Sequence, residues 1–185
     1  MNKVFFKGDV KNAKKFTNLL EKLAVETKAK TRLVCVDIDN TLANVNKELN
    51  KLGYDINIYP NPFIDKKFWL NFEGQMLLFN AELITTTLAI INSIYTNFNT
   101  EIFFATARPL ELIDITYAWL IKNNILGEVY FTENKLQIDA DIYLEDDPFI
   151  IEKLLENQKT VLIPKWSYNR HIEHTSAIHY DISRI

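Results

Sequence analysis

The sequence predicts a three-layer α/β sandwich built on a central parallel sheet, and three observations predict it. Short apolar runs recur without polar alternation, as strands buried on both faces require. Helical patterns separate those runs, so strand and helix alternate along the chain. Three of the runs end abruptly in chemically loaded residues, and in a parallel sheet such carboxyl ends form the edge where ligands bind.

Taken in order, Val10 to Thr27 puts Ala13, Phe16, Leu19, Leu20, Leu23 and Ala24 on one helical face, with Lys11, Lys14 and Lys15 as its wet side. Leu33 to Val36 is a buried strand that stops at Asp37-Ile38-Asp39-Asn40-Thr41. From about Ala43 to Asn80 the composition shifts toward Asn, Tyr, Phe and Pro, with Pro60 and Pro62 as punctuation and Gly53 and Gly74 as breaks. The aromatics Tyr59, Phe63, Phe68, Trp69, Phe72 and Phe79 need somewhere to pack, so this stretch reads as an inserted lobe and not a linker. The core is then about 1–42 and 81–185, one domain carrying a small insertion.

Alternation resumes with a helix from Ala81 to Asn97, a strand from Glu101 to Ala105, and a helix from Pro109 to Asn123 that Pro109 can start. Glu128 to Phe131 and Asp141 to Leu144 are strands, Pro148 to Asn157 a helix, and Thr160 to Ile163 the last strand. Right-handed crossovers would make the first strand central, with Asp37 at the topological switch point.

At 185 residues the chain suits a single domain, and 48% hydrophobic with 24% charged residues is ordinary for a globular protein. A net charge of −3 offers no basic field for a nucleic-acid polymer, so a small anionic substrate needs local positive charge or a metal. The single cysteine, Cys35, excludes an internal disulfide, suits a reducing compartment and reads as packing on its strand. No apolar run approaches the roughly 20 residues of a membrane span. Met1 to Val10 lacks the apolar region and cleavage site of a signal peptide. The expectation is a cytoplasmic monomer or homodimer.

The chemistry sits at the strand ends: Asp37 and Asp39 after the first, Thr106-Ala107-Arg108 after the second, Glu145-Asp146-Asp147 after the fourth, with Lys135 just before the fourth. Carboxylates gathered there raise one another's pKa values unless a cation joins them, and an all-oxygen site suits Mg²⁺. Mg²⁺, Lys135 and Thr106 would then offer a phosphoryl group what its transfer needs, positioning and charge stabilisation. One carboxylate can attack phosphorus, and a second, two residues on, can protonate the leaving oxygen and later activate water.

Asp37-Ile38-Asp39-Asn40-Thr41-Leu42 resembles the first signature of the haloacid dehalogenase superfamily, Asp-x-Asp-x-Thr. Ile102 to Thr106 resembles its second motif, Lys135 its third and Glu145-Asp146 its fourth, in the family's order. The resemblance implies a Rossmann-like sandwich with a small helical cap at about 43–80, and Mg²⁺-dependent phosphatase activity through an aspartyl-phosphate. It assigns Asp37 as nucleophile and metal ligand, and Asp39 as acid/base with its backbone carbonyl on the metal. Thr106 and Lys135 would hold the phosphoryl oxygens and Asp146 complete the metal shell, with Glu145 and Asp147 as alternatives for that last role. An Asp at position 39 favours a phosphatase over a dehalogenase or phosphonatase.

Trp119-Leu120, Glu145-Asp146-Asp147-Pro148 and Tyr168-Asn169-Arg170-His171 are similar to the 5′(3′)-deoxyribonucleotidase family, which commonly has Gly where this chain has Asn40. That likeness implies a (deoxy)nucleoside monophosphate as substrate. Asn40, Arg108, Phe68, Trp69 and Asn169 are the candidates to touch it, with Arg108 pairing with a nearby acid, the aromatics packing the core and Asn169 packing its loop as the alternatives. A sugar phosphate or polynucleotide end is the alternative within the superfamily, and a non-hydrolytic Mg²⁺-binding phosphoacceptor module the alternative outside it. Blander roles stand beside these: Thr106 as N-cap of the Pro109 helix, Lys122 as a surface charge, and His171, His174 and His179 as tail histidines.

Overall fold

The computed structural model describes residues 8–26 and 31–182. The expected helix end at Thr27, and the leader reading of the residues before Gly8, lie outside these. Helix α1 (Val10–Glu26) precedes β1 (Arg32–Asp37). The chain then passes through β2 (Ala43–Asn44), α2 (Val45–Lys51), α3 (Lys66–Leu70), α4 (Phe72–Asn80) and β3 (Glu82–Leu83). It continues as α5 (Thr85–Asn97), β4 (Thr100–Thr106), α6 (Ile113–Lys122) and β5 (Val129–Phe131). Then come β6 (Ile142–Leu144), α7 (Pro148–Glu156), β7 (Thr160–Pro164) and β8 (Ala177–Tyr180).

Six strands form one sheet in the order β5-β4-β1-β6-β7-β8, every neighbouring pair parallel. The order runs away from β1 in both directions, so β1 occupies the switch point. Alternation along β1 divides the core: Val34 and Val36 join a cluster with Phe16, Leu23, Ile90, Ile94 and Trp119, from α1, α5 and α6. Cys35 faces the other way, packing with Tyr143, Ile151 and Leu154 beneath α7. Helices on both faces of a parallel sheet make the three-layer α/β fold expected from the sequence.

Several local expectations need correction. Thr160–Pro164 is not the last strand: β8 pairs in parallel with β7 and covers its edge. His179 is therefore no tail residue but a buried strand residue, its Nε2 2.8 Å from the Ile172 carbonyl. Lys15 is not simply wet; its ammonium donates to the carbonyls of His174 at 2.7 Å and Ala177 at 2.8 Å, docking α1 beside β8. Ala81 caps α4, and α5 starts only at Thr85. Pro109 precedes a 3₁₀ turn at Leu110–Leu112, so α6 begins at Ile113 and Thr106 caps no helix.

The excursion between β1 and α5 leaves and returns through the antiparallel pair β2–β3. Its helices are capped by side chains: Asn44 for α2, Asp65 for α3 and Asn71 for α4. Gly74 is not a break but lies inside α4. A Cβ there would stand 2.1 Å from the Phe68 carbonyl oxygen, so glycine is what lets α3 and α4 meet.

Candidate active site

The turn after β1 sets the geometry. The amides of Leu42 and Ala43 donate to the Ile38 carbonyl at 2.9 and 2.7 Å, and the Asn40 amide to Ala43 at 2.7 Å. Asn40 sits at φ 55°, in the left-handed region that glycine enters freely and asparagine tolerates best among other residues. Its side-chain oxygen accepts from the Asn46 amide at 2.7 Å, tying the turn to α2. Asn at this position thus serves the backbone need that glycine would meet.

At the carboxyl edge, Asp37, Glu145 and Asp146 converge, each buried and each offering an oxygen within 4.8 Å of the others. Lys135, 3% exposed, donates to Asp37 Oδ1 and, at 2.6 Å, to Glu145 Oε2. Glu145 Oε1 receives the amides of Asp146 at 3.2 Å and Asp147 at 3.1 Å. Asp146 accepts from Thr41 Oγ1 at 3.2 Å and from the Tyr168 hydroxyl at 2.5 Å. Among the described residues, Asp37 Oδ2 is buried with no hydrogen-bond partner.

Burial pushes the Asp37 carboxyl above the usual carboxylate range, with Lys135 pulling it back. Burial likewise lifts Glu145, to about 8, and Asp146 well above its ordinary value, the neighbouring carboxylates adding to the effect. For Lys135 burial acts downward, but contact with Asp37 and Glu145 more than offsets it and holds the ammonium firmly charged. Three buried carboxylates thus face one ammonium, and one of their oxygens has no donor. That arrangement fits a hard divalent cation.

The remaining expected residues are placed unequally. Asp39 lies beside the cluster, not in it; Arg108 forks onto its carboxylate at 2.5 and 2.9 Å and anchors its other arm on Thr116 Oγ1 at 3.0 Å. Thr106 is fully buried at the end of β4, its hydroxyl accepting from the Arg108 amide at 3.2 Å. Asp147 is committed elsewhere, capping α7 through the amides of Phe149 and Ile150. A cavity of about 260 Å³ opens over the cluster, lined by Asp37, Asp39, Arg108 and Lys135 on the core side and by Leu49, Ile64 and Trp69 on the other. Phe68 is not among its walls, packing edge-on against Tyr54 and Trp69. Asn169 is fully buried behind the cluster, its amide donating to the Asp146 carbonyl at 2.9 Å. Among the described residues, sequence reasoning assigned no site role to the partners Thr41, Asn46, Tyr59 and Tyr168; Thr41 carried a signal as the Thr of the Asp-x-Asp-x-Thr signature and Tyr168 as part of the Tyr168–His171 resemblance.

No family model matches the chain. Over 80 residues it is 34% identical to a protein of Oceanobacillus iheyensis that carries the provisional name of a nucleotidase, a match spanning 38% of this chain and 43% of that one. The chain thus covers less than half of the relative's length. Among solved structures it is similar to a haloacid dehalogenase-like family hydrolase from Streptococcus pneumoniae, with a TM-score of 0.51 and 12% identity over 76% of this chain and 88% of that one. An α/β sandwich with an acidic cluster beyond its central strand is the class that fold and site define. The chain has the haloacid dehalogenase-like fold.

Proposed function

We infer that the protein is a Mg²⁺-dependent phosphomonoester hydrolase that works through an aspartyl-phosphate on Asp37. The observation that carries this reading is Asp37 itself: one oxygen held by Lys135, the other buried, unpartnered and at the floor of a cavity. Asp37, Asp146 and the Asp39 carbonyl would hold Mg²⁺, with Glu145 fixing Lys135. The ion would supply the positive charge that the three carboxylates lack and that a phosphoryl group needs.

An Asp37 oxygen bonds phosphorus as the bond from phosphorus to the leaving oxygen breaks, and Asp39 gives that oxygen its proton. Asp39 then takes a proton from water, whose oxygen attacks phosphorus; the Asp37–phosphorus bond breaks and inorganic phosphate leaves. Lys135 and Thr106 would stabilise the phosphoryl oxygens, and Arg108 holds Asp39.

The excursion at about 43–80 acts as the cap. A roofed cavity of about 260 Å³ suits a small phosphorylated metabolite. Trp69 and the aliphatic cap residues suit a flat, weakly polar leaving group, and the provisional name of the Oceanobacillus relative points the same way. We take a (deoxy)nucleoside monophosphate as the substrate. The test is phosphate release from a panel of nucleoside monophosphates, sugar phosphates and 5′-phosphorylated oligonucleotides, with and without Mg²⁺, using Asp37→Asn as control. The account expects release from mononucleotides, dependent on Mg²⁺ and lowered at least about a thousandfold in Asp37→Asn. Preference for sugar phosphates or oligonucleotides refutes the substrate assignment, and stable phosphorylation without turnover refutes the hydrolase.

A further inference from the structure

Two tyrosines that the chemistry above does not use join the cap to the acidic cluster. Tyr59, in the cap loop between α2 and α3, donates its hydroxyl to Asp147 Oδ2 at 2.8 Å. Its ring stacks on Tyr168, centroids 4.9 Å apart and planes 28° from parallel. Tyr168, in the loop after β7, donates to Asp146 Oδ2 at 2.5 Å and accepts from Asn46 Nδ2 at 3.3 Å. Trp166 lies parallel to Tyr168 with centroids 6.3 Å apart, and its indole N–H donates to the Asn40 carbonyl at 2.8 Å. One aromatic column therefore ties the cap loop, the Asp146–Asp147 turn and the turn after β1.

We propose that Tyr59 and Tyr168 are positioning residues forming a latch, so that closure of the cap loop over the cavity and orientation of Asp146 in the carboxylate cluster are a single event. The phenol–carboxylate bond to Asp146 is short and charge-assisted, the kind of contact that fixes a ligand's orientation from outside the ligand shell. Tyr59 covers the ring that makes it. When Tyr59 lifts away, Asp147 loses a donor and Tyr168 loses its cover, and water gains access to the Asp146 contact. The latch stands on these contacts alone; only its bearing on turnover rests on the phosphatase reading.

Amide hydrogen exchange on the full chain, without ligand, tests it with two variants that keep the rings, Tyr59→Phe and Tyr168→Phe. The proposal expects Tyr59→Phe to speed exchange about tenfold, both in residues 54–61 and in residues 145–148, which its hydroxyl meets only through Asp147. Tyr168→Phe should do the same in both segments. Unchanged exchange at 54–61, or loosening at 54–61 with 145–148 still protected, overturns the latch. A simple packing role for the rings would leave both segments unmoved, since Phe preserves the stack. Calorimetric titration with Mg²⁺ adds a second readout: binding weakens about ten- to a hundredfold in Tyr168→Phe and also weakens in Tyr59→Phe. The double variant should be no worse than the weaker single one. A wild-type chain that takes up no Mg²⁺ overturns the phosphatase reading and leaves the exchange result to judge the latch.

Discussion

Lys135→Met removes the ammonium that, among the described residues, pairs with Asp37 and Glu145 inside the carboxylate cluster, while keeping much of its volume. In the wild type Lys135 is 3% exposed and touches both Asp37 and Glu145, so the variant leaves three buried carboxylates facing each other. Breaking a buried pair by deleting one partner costs about 3–5 kcal/mol, which for a chain of this size lowers the melting temperature by roughly 6–20 °C. The loss depends on pH with a definite sign. Glu145 has its folded-state pKa raised from 4.5 to about 8, so its favourable contribution is fully present below 4.5 and disappears as pH rises through about 8. Without the ammonium a proton must take its place, so the gap between variant and wild type widens from acid toward alkaline buffer. Thermal unfolding followed by circular dichroism across that window, with chelator and with Mg²⁺, measures this. The variant should melt progressively lower as pH rises and recover partly with Mg²⁺. A variant melting within about 2 °C of wild type throughout, insensitive to the cation, refutes the reasoning about cluster charge.

Three further outcomes follow from the same geometry. Asp39→Asn should slow the first phosphoryl transfer from alkyl phosphates by about 10²–10⁴-fold but spare the first-turnover burst from p-nitrophenyl phosphate, whose leaving group needs no proton, after which phosphoenzyme should accumulate because its hydrolysis lacks the base; a burst lost equally on both substrates would contradict this. His179 has its pKa lowered, chiefly by burial, so its neutral form stabilises the fold above about 6.5 and that stability fades as pH falls below 6.5; His179→Gln should flatten the acid side of the stability profile, and an unchanged profile would refute the assignment. Gly74→Ala forces a Cβ against the Phe68 carbonyl and the Trp69 Cα, which it would approach to 2.1 and 2.9 Å, and should cost about 1–3 kcal/mol in chemical denaturation together with a shift in tryptophan fluorescence; a neutral effect would mean the α3–α4 corner relaxes freely.

What the sequence made legible were features written locally. Apolar runs such as Leu33–Val36 and Tyr143–Leu144 announce doubly buried strands, and the alternation with helices implies the parallel sheet and the central place of β1. Acidic residues at strand ends pointed to one edge because parallel strands share a direction. Strand β8 was missed because Ala177–Tyr180 follows a polar loop and carries a histidine, and only pairing with β7 makes it a strand. Lys135 was legible as a candidate, but not that Asp37 and Glu145 hold it, since that depends on where the turn Lys135–Gln137 comes to rest. Tyr59 looked like one more packing aromatic, because nothing near position 59 signals a carboxylate 88 positions further on.

The central claim is a covalent bond between phosphorus and Asp37, and trapping that bond tests it most directly. The full chain, mixed with a mononucleotide and Mg²⁺ and quenched in acid within a turnover, is digested and its peptides weighed. The account predicts a phosphoryl group on the peptide spanning the turn after β1, localised to Asp37 and absent from Asp37→Asn. Phosphate release that proceeds with no such adduct, or with the adduct on another residue, would contradict it.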